Sequence, residues 1–280
     1  MLYVYAVLSA VGLLIAGNIY PLFQNQNAWW LIPVLFLAGW LALILCHIIL
    51  FVIAILIINP KSPQKRASGF YRWAIKYTIP MIFKLVGVRI HTSGSEKIPE
   101  DKRVLLVCNH IHDFDPVVII SEFPDLELGF IAKKEIYVTL KVVAKAMRKL
   151  HCLPIDREND REAAKTIVSA IKLIRDDIVS VGVFPEGYTS RDGKLHEFRN
   201  GSFKIALKAN CPIVVCTLDS TNKILKNLFK RKTDVYLDVA DVITEEELAQ
   251  MNTVQIGERV HKTMEESLAR TQQKKQKKSG

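Results

Sequence analysis

No charged side chain occurs in the first 60 residues of this 280-residue chain; the first is Lys61, and all 38 Lys and Arg and all 28 Asp and Glu lie from there onward. A leader of that kind cannot supply the mixed charged surface of a soluble domain. It also has no basic region ahead of its first apolar run, and no small-residue cleavage site before the second, so a cleaved signal peptide is not expected. Cysteine is scarce and odd in number: Cys46, Cys108, Cys152, Cys211 and Cys216. Four of the five sit in apolar runs, which argues for reduced, buried thiols on the cytoplasmic side and against a disulfide framework. There is no internal repeat, and no low-complexity stretch except a basic tail, so solenoids and repeat arrays are excluded. With 50% hydrophobic residues, disordered and collagen-like chains are excluded as well.

The length allows one domain of moderate, catalytic size plus something extra. Residues 1–23 are apolar with a break at Gly17-Asn18, Gln24-Asn25-Gln26-Asn27 is a polar turn, and residues 29–58 form a longer apolar run ending at Asn59-Pro60. About 20 helical residues cross the hydrocarbon core of a bilayer, so residues 1–60 read as a membrane hairpin. Seven basic residues follow (Lys61, Lys65, Arg66, Arg72, Lys76, Lys84 and Arg89) before the first acid, Glu96. The positive-inside rule places that side, and the rest of the chain, at the cytoplasmic face. Residues 61–88 read as a basic amphipathic segment. A helix over 66–85 would put Phe70, Trp73, Tyr77 and Met81 on one face and Lys65, Arg72 and Lys76 on another, which suits the headgroup layer or an ordinary domain surface equally.

Beyond Arg89, short β-branched runs alternate with helical patterns. Residues 103–108, 128–132, 152–155, 179–184, 211–218 and 234–240 read as strands, and 160–177 and 202–209 as helices. This alternation predicts an α/β domain over 89–243 with a largely parallel central sheet flanked by helices. Thr244-Glu245-Glu246-Glu247 resembles a capping box opening a last helix to about Arg270, after which Lys274-Lys275-Gln276-Lys277-Lys278 reads as a solvated basic tail, so 244–280 is a C-terminal helix and tail. The net charge of +10 calls for anionic partners, and the leader favours lipid over nucleic acid.

Two constellations could carry chemistry. Asn109-His110-Ile111-His112-Asp113-Phe114-Asp115-Pro116 closes a strand, and ligands of open α/β sheets bind at the carboxyl ends of strands. A neutral His110 can take a proton from an alcohol, with Asp115 returning across the turn to orient the ring. Asp115-Pro116 is equally a helix start. His110, His112 and Asp113 could instead ligate a metal. The second is Phe184-Pro185-Glu186-Gly187-Tyr188-Thr189-Ser190-Arg191, where backbone N–H groups, the Thr189 and Ser190 hydroxyls and the Arg191 fork could grip a phosphate monoester, unless it is simply a polar turn. Between them a strand end delivers Lys133 and Lys134.

In this order, Asn-His-x4-Asp, Ala132-Lys133-Lys134-Glu135, Ile155-Asp156-Arg157, Phe-Pro-Glu-Gly, Phe198-Arg199-Asn200-Gly201 and Cys211-Pro212-Ile213-Val214-Val215 resemble the glycerolipid acyltransferase family over about 89–243. The resemblance implies a membrane-bound O-acyltransferase that moves a fatty acyl group from acyl coenzyme A or acyl carrier protein to the hydroxyl of 1-acyl-glycerol-3-phosphate, giving phosphatidic acid. No cofactor is implied. His110 would be the general base and Asp115 its support. Asn109, Lys133, Lys134, Glu186, Gly187, Thr189, Ser190 and Arg191 would serve substrate, with anionic membrane lipid and no nucleic acid as further surroundings. The family usually has Glu-Gly-Thr-Arg where this chain has Glu186-Gly187-Tyr188-Thr189, so Arg191 is expected to stand in for the missing arginine. That departure leaves three rivals: a different lysolipid acceptor, a catalytically silent membrane-binding member of the fold, and a metal-dependent lipid hydrolase.

Overall fold

The charge-free leader forms two helices, α1 (Leu2–Ile19) and α2 (Leu31–Leu56), both long and apolar enough to cross a membrane. They lie antiparallel, joined by the Ser9 hydroxyl donating to the Phe36 carbonyl (2.7 Å) and the Trp40 indole N–H donating to the Leu2 carbonyl (3.0 Å). Gly39 permits this approach, since a methyl group there would press on the Ser9 hydroxyl. Leu14, Leu35, Leu45 and many neighbours are exposed, an arrangement that suits lipid and is costly in water.

The computed structural model describes residues 1–19, 29–57, 68–190, 192–230 and 232–279, with side chains to residue 277. The chain separates into two compact units, Met1–Ile58 and Asn59–Gly280. Lys61, Lys65, Arg66 and Arg191 lie outside the described residues.

In the second unit, α3 (Gly69–Leu85) precedes a seven-stranded sheet. Its strands are β1 (Val88–Ser93), β2 (Leu105–Cys108), β3 (Leu128–Lys133), β4 (Leu153–Ile155), β5 (Ser180–Val183), β6 (Ile213–Asp219) and β7 (Thr233–Ile243), in the order β1-β7-β6-β2-β5-β3-β4. Every pairing is parallel except β6 with β7. The central strands are continuous apolar runs because both faces are covered. Leu106 and Cys108 face α4 (Asp115–Glu122), α6 (Lys141–Lys149) and α3. Leu105 and Val107 face α7 (Asp160–Arg175), α8 (Lys204–Ala209) and α11 (Thr253–Ser279). The short helices α5 (Lys134–Thr139), α9 (Lys223–Lys226) and α10 (Glu245–Leu248) complete the domain. The five cysteines are free, and all but Cys46 are buried.

The structure corrects several expectations. The edge strand β1 was not foreseen, since its half-exposed residues carry no apolar run. Phe70, Trp73 and Tyr77 form an exposed row on α3, whereas Met81, one turn further along the same stripe, is buried. Arg72 and Lys76 lie on another face, as expected, but they are engaged within the domain, Arg72 donating to the Glu127 carbonyl (2.8 Å) and Lys76 pairing with Asp125. The last helix is two: the Thr244 capping box opens only α10, and α11 has its own box, with Gln255 N–H on Asn252 Oδ1 and Asn252 N–H on Gln255 Oε1. The basic tail is not a loose extension. α11 runs to Ser279, and Lys275 is held by Asp219 and Ser220 with its ammonium over the Tyr236 ring.

One glycine in β5 shapes the region above it. A methyl group on Gly182 would overlap the Phe130 ring, which lies across the strand from β3. Gly182→Ala should therefore destabilise the domain by about 1–3 kcal/mol through overpacking, read as a lower urea midpoint at unchanged m-value.

Candidate active site

The apolar strand β2 delivers the first motif to the carboxyl edge of the sheet. Asn109 continues the strand with its side chain: its Nδ2 donates to the Leu218 carbonyl (2.9 Å) and its Oδ1 accepts from the Leu218 N–H (2.8 Å). Both polar groups are thereby engaged within the fold, which gives Asn109 a role in positioning the loop beside the substrate contact expected from the sequence.

His110 and Asp115 meet as expected. His110 Nδ1 lies 2.8 Å from Asp115 Oδ2, the carboxylate is fully buried, and the imidazole is mostly covered. The carboxylate does not cap its own helix. Its Oδ2 also accepts from the Ile111 N–H (2.7 Å) and the His112 N–H (2.9 Å), so it folds back on the loop that carries His110. Its Oδ1 accepts from the Thr221 hydroxyl. With a carboxylate on Nδ1, the ring is held with its proton there and its Nε2 lone pair free. Nε2 makes no hydrogen bond among the described residues. Phe184 fixes the plane of the ring by stacking 4.1 Å from it, and Phe130 stacks behind Phe184.

The second motif locks onto the first through Glu186. This carboxylate is buried and accepts from the His110 N–H (2.8 Å) and the His196 N–H (3.2 Å). Burial pushes its pKa up, and the two N–H groups oppose that rise. Ser190 N–H donates to the His110 carbonyl (2.7 Å), completing the clasp. The Ser190 hydroxyl is buried within hydrogen-bonding distance of both Asp192 Oδ1 (2.7 Å) and the Lys194 carbonyl (2.6 Å), and its single proton serves one of them. The hydrogen bond from Ser190, with others from the Lys194 N–H and His196, holds the Asp192 carboxyl well below the usual range. Thr189 is half-buried beside these groups. Glu186 therefore fixes the backbone at His110.

A cleft of about 520 Å³ opens beside Phe184, with Ile131, Ile155, Ile167 and Val183 among its apolar walls. Arg157, Arg199, Lys204 and Lys208 line it too, as does Gly187. Gly187 has φ +79°, and the Arg199 side chain passes so close that a methyl group at Gly187 would sit 2.9 Å from Nε. Burial and the neighbouring Arg199 guanidinium lower the Arg157 pKa. Two like charges converging in a partly apolar cleft make a site for an anion. The sequence reading noted both arginines inside their blocks and gave neither a role. The signal in sequence was that Arg157 follows a strand end; the approach of Arg199 to Gly187 is visible only in the fold.

The other expected residues fall outside this group. Lys134 pairs with Asp156 (3.3 Å), and Lys133 is exposed at the end of β3, three residues beyond the Phe130–Gly182 pair. His112 Nδ1 accepts from the Phe114 N–H, and Asp113 is exposed. Among the described residues no three His, Cys, Asp or Glu side chains are grouped to hold a metal. A larger cleft, about 660 Å³, lies at the opposite, amino-terminal edge of the sheet. Its Arg103 is already paired with Glu127 and Asp177.

A histidine base on a buried carboxylate, clasped to a Pro-Glu-Gly turn at the carboxyl edge of an α/β sheet, is the site of an acyltransferase-type fold, and residues 89–219 match the Acyltransferase family model. This part of the chain is similar to the acyltransferase family. The chain is 34% identical over 161 residues to a 1-acyl-sn-glycerol-3-phosphate acyltransferase of Borreliella burgdorferi, covering 57% of this chain and 63% of the relative. It is 32% identical over 160 residues to a probable 1-acyl-sn-glycerol-3-phosphate acyltransferase of Mycoplasma pneumoniae, covering 56% and 57%. The matches thus span about three fifths of these relatives. The crystal structure of the 1-acyl-sn-glycerophosphate acyltransferase PlsC from Thermotoga maritima shares the fold, with a TM-score of 0.59, 18% identity, and coverage of 97% of this chain and 98% of that one.

Proposed function

We propose that the chain transfers a fatty acyl group from a thioester, acyl coenzyme A or acyl carrier protein, to the free hydroxyl of 1-acyl-glycerol-3-phosphate, giving phosphatidic acid. The observation that carries this reading is the His110–Asp115 pair with Nε2 left open. As the hydroxyl oxygen attacks the thioester carbonyl, Nε2 takes its proton, and Asp115 supports the imidazolium that forms. Collapse of the tetrahedral intermediate breaks the C–S bond, and the imidazolium returns the proton to the departing sulfur. No acyl-enzyme forms, so the buried cysteines need no part. Arg157 and Arg199 grip the acceptor phosphate, taking the task expected of Arg191, while the apolar walls of the cleft receive hydrocarbon.

The acceptor is a membrane lipid and the donor is water-soluble, so the domain must work at a membrane face. The α1–α2 hairpin supplies the anchor, and the exposed Phe70, Trp73 and Tyr77 row suits the headgroup layer, where amphipathic rings are favoured. The basic residues after the hairpin support a cytoplasmic location for that face and favour anionic lipid as its surroundings.

The test is thiol release from a long-chain acyl coenzyme A by detergent-solubilised protein, with and without lysophosphatidic acid. Release that requires the acceptor supports the reading; release with no acceptor makes the protein a thioesterase and overturns it. Arg199→Ala is expected to raise the KM for the acceptor about tenfold, close to 1.4 kcal/mol, with kcat within about twofold. An unchanged KM would remove Arg199 from the acceptor site.

A further inference from the structure

Asp115 has one oxygen, Oδ1, that the motif itself does not serve. Oδ2 takes three donors from the loop it closes, His110 Nδ1, Ile111 N–H and His112 N–H. The sole donor to Oδ1 among the described residues is the hydroxyl of Thr221, which stands 106 positions away in sequence and is itself completely buried. The only ion-pair partner of Asp115 among the described residues is His110. A buried carboxylate needs its lone pairs met by donors, so the donor on Oδ1 bears directly on how firmly Asp115 is held against His110.

The turn that carries Thr221 is built for this placement. β6 ends at Asp219, and Ser220 then adopts φ +73°, a left-handed conformation that a residue with a Cβ takes only at a cost. That twist directs Thr221 back over the end of β2. Lys275 of α11 holds the turn from outside, with its ammonium on Asp219 and on the Ser220 hydroxyl. The Thr221 and Ser220 carbonyls accept from the Ile224 and Lys223 N–H groups and close the turn into α9. A strained residue and a lysine from the last helix thus fix one hydroxyl against the carboxylate behind the base.

We infer that Thr221 is a positioning residue for the His110–Asp115 pair, acting by donating to Asp115 Oδ1 so that the carboxylate stays aligned on the imidazole. The inference rests on the acyl-transfer reading for its kinetic consequence and on geometry alone for its structural one. Thr221→Val keeps the shape and removes the donor; Thr221→Ser keeps the donor.

The experiment measures kcat and KM of the full chain in detergent for wild type, Thr221→Ser and Thr221→Val, each also combined with Asp115→Asn. Alongside, the ring ¹⁵N and Nδ1 proton signals of His110 are recorded by NMR without substrate. Thr221→Val is expected to lower kcat by about tenfold or more with both KM values within twofold, and Thr221→Ser to restore it to within threefold. With Asp115→Asn the Val effect should fall below twofold, since the carboxylate it aligns is gone. The Nδ1 proton of His110 should move upfield in Thr221→Val and return in Thr221→Ser. Normal kcat and an unmoved Nδ1 proton in Thr221→Val would overturn the inference, as would a Ser variant as impaired as Val. A wild type that transfers no acyl group, with the NMR shift still present, would defeat the acyl-transfer reading and leave the role of Thr221 standing.

Discussion

Replacing His110 by alanine is expected to lower kcat by about 10²–10⁴-fold, the range that a positioned general base contributes. The fold should survive. The contacts that clasp the two motif loops run through the His110 backbone, its N–H to Glu186 and its carbonyl from Ser190, and alanine keeps both. What is lost is the ring: its bond to Asp115 and its stacking on Phe184. Asp115 retains three other donors, so the stability cost should be about 1–2 kcal/mol. Steady-state kinetics beside thermal unfolding separate the two effects, and a rate loss under tenfold would remove His110 from the chemistry.

Asp115 gives the second large effect, and its two obvious variants should fail in different ways. In Asp115→Asn the amide oxygen can take the place of Oδ2 and keep all three loop donors, while the amide N–H₂ meets Thr221, whose hydroxyl can accept instead of donate. Folding is preserved, but the negative charge behind the imidazolium is gone. Exchanging a charge-assisted hydrogen bond for a neutral one is worth about 1.5–3 kcal/mol, so kcat should drop by roughly 10–10²-fold with little change in KM. Asp115→Ala instead leaves the Ile111 and His112 N–H groups and the Thr221 hydroxyl buried without an acceptor. At about 1–3 kcal/mol for each such group, much of a domain's whole stability of about 5–15 kcal/mol is removed. The alanine variant should accumulate poorly and the asparagine variant normally; equal yields and equal Tm values would mean that Asp115 does not organise the loop.

The sequence carries the central strands, because doubly covered strands must be continuous apolar runs, and it carries the His110–Asp115 pair, because five residues suffice for a turn to bring them together. What escaped it lies at long range or at an edge. Thr221 faces Asp115 across 106 positions, and Arg199 reaches its cleft only because Gly187 has no side chain. β1 has a half-exposed pattern with no apolar run, and it is recognisable only once β7 is beside it. Asn109 and Ser190 stand in the right motifs, yet sequence cannot tell which polar groups are engaged within the fold. Burial and partners do so, and they give both residues a part in holding the loops. Lys274-Lys275-Gln276-Lys277-Lys278 likewise read as a solvated tail by composition alone, whereas one of its lysines has a carboxylate waiting at the end of β6.

The most direct test of the account is the identity of the product. Purified protein is given long-chain acyl coenzyme A and lysophosphatidic acid with an acyl chain of different length, and the lipids are analysed by mass spectrometry for wild type and His110→Ala. The account predicts phosphatidic acid carrying one chain from each substrate, formed by wild type and nearly absent with His110→Ala. Free fatty acid as the main product, or the same phosphatidic acid formed at an equal rate by His110→Ala, would contradict it.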